Sequence, residues 1–218
     1  MNTAIKYPKT FHTPFSLGLQ NDDRRMEDEH CFNGKTVAIT IKMDGENTSL
    51  YRNGMHARSL YAMAHPSQYW MKAYHAQIAY KIPEGWRVCG ENLYARHSIP
   101  YYELEHYFQV FSIWDENNEC LSLQETWDFC YDNGLTHVPF IRWVDSNDFD
   151  STEKFMECLN NEYFSVVKKG EEGIVIRNIE RYPFEEFHKN VAKAVRKGHV
   201  QTDEHWTKTW VPNQLKVV

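Results

Sequence analysis

The chain has 218 residues, a formal net charge of −6, and a composition of 42% hydrophobic, 15% aromatic and 25% charged residues, enough apolar material for a sizeable core in one large domain or two small ones. Mean hydropathy is −0.66, no apolar run nears the roughly 20 residues of a membrane span, and the N-terminal MNTAIKYPKTFHTPF lacks the apolar core of a signal peptide, so a soluble, intracellular protein away from membranes is expected. Five widely spaced cysteines (Cys31, Cys89, Cys120, Cys130, Cys158) with no CxxC, and histidines with no HExxH, fit reduced thiols better than a disulfide framework or a structural zinc.

In chain order, residues 36–42 (TVAITIK) alternate and are rich in β-branched types, which predicts a strand ending at Lys42. DGEN follows as a turn, TSLYRN resumes a strand, Asn53-Gly54 marks a hairpin, and MHARSL returns. Pro66 opens a helix to about Tyr80, with Trp70, Ala73, Tyr74 and Ile78 sharing a face. WRVCGENLY and YFQVFSIWD read as strands; Ser122 to Glu125 forms a capping box for a helix that Gly134 stops. HVPFIRW is a strand whose Pro139 places it near an edge or bulge. Asp150 to about Leu159 is a helix and EEGIVIRNI a strand entered through a glycine, while residues 183–197 carry partial helical periodicity. The pattern predicts an α+β fold of antiparallel sheets flanked by helices, in a single domain over residues 1–218.

Lys42-Met43-Asp44-Gly45 is the feature with chemical content. A strand-end lysine before a glycine turn projects its amine into a concave site, and a neutral amine there is a nucleophile. A KxDG tetrapeptide alone arises by chance in roughly one chain of this size in twenty, so it decides nothing by itself. Further along come Glu91 in GENLY, Phe111 in FQVFSIWD, Glu172 in EGIVI and Lys193 in AKAVRK, each at or in a predicted strand. Acid is concentrated in Asp22–Glu29 and Glu180–Glu186 and base in Lys189–Lys197, so a basic stripe on an acidic body is available for a phosphate backbone.

The ordered set KxDG, GE, FxxF, EGIV and a late lysine resembles the covalent nucleotidyltransferases: ATP-dependent DNA and RNA ligases and mRNA capping enzymes. The flanks KMDGENTSLYRNGMHARS, GENLYARHSI and HVQTDEHW look like the compact RNA ligases of the RNA-ligase-2 type often found in phages and bacteria, over about Tyr7 to Trp206. The resemblance implies a ligase adenylation (ATP-grasp-like) domain. Its activity would be ATP-dependent joining of 3′-OH and 5′-phosphate ends, RNA favoured, through a lysyl-AMP on Lys42. It implies ribose contact by Glu91, adenine stacking by Phe111, Mg²⁺ (or Mn²⁺) held by Glu172 with a contribution from Asp44, and phosphate neutralisation by Lys193, which would also depress the Lys42 pKa. Arg58 would touch phosphate or ribose, with Arg96 and Lys169 weaker candidates of the same kind. The family's last motif is often KxK; here it is Lys193-Ala-Val-Arg196-Lys197, so a second phosphate contact falls to Arg196, Lys197 or neither. Many relatives carry an acidic residue before the nucleophile, where this chain has Thr40-Ile41. Too few residues follow Lys193 for the OB-fold of DNA ligases and capping enzymes. A short tail after about residue 200 is expected instead, in a monomer of a bacterial or phage-infected cytoplasm. The alternatives are a DNA or mixed DNA/RNA ligase, a GTP-using capping-type enzyme, and a non-catalytic nucleotide- or RNA-end-binding module.

Overall fold

Two β-sheets carry the fold, and period-2 alternation decides which side chains of each face the other. The computed structural model describes residues 4–20, 23–60, 65–198 and 210–217. Its strands are β1 Phe11–His12, β2 Thr36–Ile41, β3 Glu46–Tyr51, β4 Gly54–Ala57, β5 Arg87–Asn92, β6 Phe108–Trp114, β7 Glu119–Cys120, β8 Thr136–His137, β9 Phe140–Asp145, β10 Gly173–Asn178, β11 Tyr182–Pro183 and β12 Val191–Val195. The α-helices are α1 Tyr69–Ile78, α2 Leu123–Asn133, α3 Thr152–Lys168 and the single turn α4 Phe187–Asn190. One sheet runs β1-β12-β10-β2-β9; the other runs β11-β7-β6-β5-β3-β4, with β8 added on β6. Among the named strands of the described residues, only β1/β12 and β6/β8 pair in parallel. The two sheets take up all the named strands, leaving none among the described residues for an OB barrel. No described helix is long and apolar enough to cross a membrane.

In the first sheet Val37, Ile39, Ile174, Ile176, Ala192 and Ala194 point to one side and meet Phe155, Met156, Leu159, Tyr163 and Val166 of α3. The alternate residues Thr40, Val175, Arg177 and Lys193 therefore face the second sheet. There a core of Tyr7, Cys89, Trp114, Cys120, Tyr182, Phe187 and Val191 closes one end of the interface, and the other end is open. The far side of the second sheet packs Leu50, Val88, Phe108, Val110 and Ile113 against Met71 and Ile78 of α1 and Cys130 of α2.

Local signals were realised with instructive shifts. The capping box is complete: Ser122 Oγ accepts the Glu125 amide and Glu125 caps the Ser122 amide, and the helix ends at Gly134 with φ 64°. The hairpin forms, but its two loop residues are Arg52 and Asn53, because Gly54 already pairs with Tyr51. On α1 the fully buried side chain is Met71, while the expected Ala73 is exposed. HVPFIRW splits at Pro139: β8 joins the second sheet and β9 forms an edge of the first. Helix α3 runs beyond Leu159 to Lys168, since Tyr163 and Val166 continue its buried stripe past the weak helix formers Asn160 and Asn161. The ambiguous 183–197 segment is a helical turn followed by β12.

Leu159 is fully buried at the centre of the α3 contact. Leu159→Ala is expected to lower unfolding free energy by about 2–5 kcal/mol, read from the midpoint of a urea titration at unchanged m-value.

Candidate active site: a lysine-centred cleft between the sheets

The open end of the sheet interface is a cleft of about 450 Å³ lined by both sheets and by residues 7–10 of the N-terminal segment. One ladder row crosses its floor: Thr40 pairs with Val175, and Val175 with Lys193. From the second sheet come Asn47, Arg58, Glu91 and Phe111. Cys89 and Glu91 share a face of β5, and Phe111 sits opposite the irregularity between Cys89 and Gly90, which frees it from the ladder. Its ring meets Tyr7 edge-on, with centroids 5.2 Å apart.

Lys42 lies just past the end of β2, where its amide donates to the Gly173 carbonyl at 2.9 Å. Its Nζ is 2.8 Å from Glu172 Oε2. The Glu172 side chain is 4% exposed and that of Lys42 24%. The glycine of the tetrapeptide is a steric necessity: a Cβ at Gly45 would lie 2.6 Å from the Asn92 carbonyl oxygen. That close approach lets the Gly45 amide donate to Glu91 Oε1 at 3.1 Å. Asp44 is spent on the local fold, since its Oδ2 accepts the Ser98 and Ile99 amides at 2.7 Å each and its own amide donates to Tyr101 Oη.

Burial alone would push the Lys42 ammonium down, but Glu172, and then Glu91, carry its pKa well above the ordinary value. This corrects the expectation of a depressed pKa: Lys42 rests protonated. Glu91 bears the counterpart. Burial pushes its carboxyl up to about 8, Lys42 pulls it down, and Glu172 pushes it up again, because two carboxylates compete for one ammonium. Burial lowers Lys193, partly offset by Asp23 at 3.4 Å.

The structure gathers Lys42, Arg58, Glu91, Phe111 and Lys193 in the cleft, with Glu172 against Lys42. It does not gather the others. Asp44 is turned to the 98–99 loop. Arg196 and Lys197 lie past the end of β12, outside the cleft lining, and Lys197 is exposed. Arg196 serves through its backbone, its amide donating to the Glu172 carbonyl at 2.9 Å. Arg96 stacks over Tyr102, and Lys169 is exposed at the end of α3. HVQTDEHW lies outside the described residues, but beyond it Asn213 is buried and ties the chain to the Leu93 carbonyl and the Tyr101 amide.

Two contributors escaped the sequence reading. Arg177 faces the cleft and bonds Tyr182 Oη at 2.6 Å and Tyr7 Oη at 3.3 Å; the alternation in GIVIRN was the available signal. The Tyr7–Thr10 wall, including Lys9, had none, because those residues belong to no strand or helix. Lys9, Lys42, Arg58, Arg177 and Lys193 make this a cationic cleft in an acidic protein. Among the described residues no three His, Cys, Asp or Glu side chains form a metal cage. Glu172 and Glu91 offer hard carboxylate oxygens, which suit Mg²⁺ or Mn²⁺ completed by phosphate and water.

A strand-end lysine paired to a buried glutamate, between antiparallel sheets, fits the nucleotidyltransferase domain that the order of motifs implies. The chain belongs to the RNA ligase family: that family's model matches residues 35–195. Among solved structures the fold is similar to an archaeal ATP-dependent RNA ligase at TM-score 0.60 and 16% identity, over 89% of this chain and 48% of that one. It is also similar to a Naegleria gruberi RNA ligase variant solved with ATP and Mn, at TM-score 0.54 and 16% identity, over 89% and 63%. The chain thus spans about half to three fifths of the length of these proteins. No curated protein matches it by sequence.

With a folded pKa of about 8 against an ordinary 4.5, Glu91 takes up a proton on folding anywhere between those values, so wild-type stability falls as pH rises through that window. Glu91→Gln keeps the acceptor for Gly45 and does not titrate. Relative to wild type it should gain about 1–3 kcal/mol between pH 5 and pH 9; urea unfolding at the two pH values reads the difference, and a constant gap would contradict the assignment.

Proposed function

We propose that this chain is an ATP-dependent RNA ligase that works through a lysyl-AMP on Lys42. The observation that carries the reading is the Lys42 amine on the floor of a cationic cleft, 2.8 Å from buried Glu172. Family membership supports ligase chemistry, and ATP with Mn in a structural relative supports the cofactors.

In the first step Lys42 gives its ammonium proton to solvent, the free amine attacks the ATP α-phosphate, a P–N bond forms as the P–O bond to pyrophosphate breaks, and the second proton leaves the nitrogen to solvent. Lys42 is nucleophilic only as the free amine, and the Glu172 charge is what keeps it protonated. Neutralising Glu172 therefore activates Lys42. A divalent ion, when bound with the nucleotide, supplies Lewis-acid stabilisation to the phosphates. Lys193 and Arg58 face the space where the phosphates would lie and neutralise charge developing there. Phe111 lines the cleft where the base would stack on its ring, and Glu91, protonated or not, offers an oxygen for the ribose hydroxyls. In the second step a nucleic-acid 5′-phosphate attacks the adenylylated lysine and takes the AMP. In the third, a 3′-hydroxyl attacks the activated end, forming a phosphodiester and releasing AMP. Asp44 enters only by shaping the turn that presents Lys42.

Intact-mass spectrometry after mixing protein with ATP and Mg²⁺ tests this reading. Wild type should gain one AMP, Lys42→Ala none, and Lys193→Ala should label about 100-fold more slowly. ATP binding without any mass gain would point instead to a nucleotide-binding module, and equal gain by Lys42→Ala would remove the nucleophile. Sealing of RNA, DNA and mixed nicks by the labelled protein then decides the substrate.

A further inference from the structure

A chain of buried polar groups stands behind Lys193 with no part in the chemistry above. Strand β1 pairs with β12 so that His12 lies opposite Lys193, and the Thr13 amide donates to the Lys193 carbonyl at 2.8 Å. His12 Nδ1 is 2.7 Å from Ser16 Oγ. Its Nε2 is 3.1 Å from Asp23 Oδ2, and Asp23 Oδ1 is 3.4 Å from Lys193 Nζ. Serine, histidine and aspartate in this order evoke a hydrolytic triad, but Ser16 and His12 are both 0% exposed. Ser16 Oγ is also occupied by the Val195 amide at 2.9 Å. No substrate reaches this serine, so the chain's output is at its other end.

We propose that Ser16, His12 and Asp23 form a positioning relay that holds the Lys193 ammonium in the cleft. The inference rests on the ligase reading for its consequence, though not for its geometry. Asp23 is held from behind at Oδ2, which accepts the Gln20 amide at 3.1 Å and lies against His12 Nε2, and this leaves Oδ1 for Lys193. The segment that carries these residues is fixed to β12. Arg25 donates to the Thr13, Pro14 and Ser16 carbonyls, and Gly18 lies so close that a Cβ there would be 2.3 Å from the Arg196 carbonyl oxygen. Lys193 needs such support. Its side chain is 18% exposed, burial disfavours its charge, and the Lys42 ammonium repels it, with Asp23 and then Glu172 as the compensating anions. Without Asp23 the amine either leaves the cleft for solvent or gives up its proton, and in both cases the α-phosphate loses its counter-charge.

The test compares wild type, Asp23→Asn, Asp23→Glu and His12→Asn. Lysines are methylated with ¹³C-formaldehyde, and the Lys193 resonance, assigned by its absence in Lys193→Arg, is titrated by NMR. Lys42 adenylylation is followed against pH in unmodified protein. Asp23→Asn should lower the Lys193 titration midpoint, slow adenylylation about tenfold and move the alkaline limb of its pH profile to lower pH. Asp23→Glu should recover most of the rate, and His12→Asn should shift the midpoint in the same direction by less. An unchanged Lys193 midpoint in Asp23→Asn overturns the inference, as does a rate loss that Asp23→Glu fails to repair. If wild type forms no lysyl-AMP, the ligase reading falls, and the NMR titration still decides whether Asp23 holds Lys193.

Discussion

The ion pair between Lys42 and Glu172 is the constraint around which the cleft is organised. A buried carboxylate without a partner is costly to fold, and here two of them, Glu172 and Glu91, stand beside a single ammonium. The pair at 2.8 Å satisfies one; the other holds its proton up to about 8. The resting site is therefore a proton-sharing cluster in which any cation added near Glu172 releases Lys42 and any anion added near Lys193 is welcome. The two changes are those that a metal-bound triphosphate makes together. In the proposed reaction a lysine with a raised pKa can still serve as the nucleophile, because Glu172, the group that raises it, is one that a metal-bound triphosphate would neutralise.

The motif segments are joined to one another by backbone contacts more than by side chains. Gly45 lies against the Asn92 carbonyl and donates to Glu91, which joins the Lys42 turn to β5. The Lys42 amide donates to Gly173 and the Arg196 amide to Glu172, which joins β2 to β10 and β10 to the end of β12. Gly173 packs so tightly that an added Cβ would lie 1.9 Å from the Ala194 carbonyl oxygen. The glycines of KxDG and EGIV thus have a common cause: each permits an approach that aims the neighbouring functional side chain, Lys42 in one case and Glu172 in the other.

This explains what could be read in the linear chain. Strands β2, β5, β6 and β10 and the capped helix α2 were legible because local chemistry decides them: alternation, β-branching, a complete capping box. Glu91 and Phe111 lie within β5 and β6, and Lys42 and Glu172 border β2 and β10, so alternation and strand ends pointed to them, whereas Lys193 lies in β12, whose segment reads as partly helical, and rested on the resemblance. The structural duty of Asp44 could not be read from the chain, because its partners, the 98–99 amides, are remote in sequence and contributed by backbone. Arg196 and Lys197 stayed open because a run of basic residues does not show where its strand stops. The wall at Tyr7–Thr10 and the Asp23 contact to Lys193 were invisible because they depend on β1 docking beside β12, a pairing between opposite ends of the chain that two residues of strand cannot announce.

Charge placement reconciles an acidic protein with a polyanionic ligand. Some of the acid is paired away from the cleft: Arg181 bridges the buried Asp115 and the more exposed Glu119 and Glu125, and Arg142 bridges Glu162. Within the cleft the balance reverses, with Lys9, Arg58, Arg177 and Lys193 joining Lys42 on its walls. Low-dielectric walls concentrate that local field, whereas the surface acid is screened within about 10 Å at ordinary ionic strength. A triphosphate entering the cleft is governed by the near cations and scarcely by the net charge. A long nucleic-acid strand, the proposed substrate, would also pass over the acidic exterior, so its attraction would be confined to the end held at the cleft. Selection for a terminus over internal phosphates can thus arise from the contrast between a basic cleft and an acidic body.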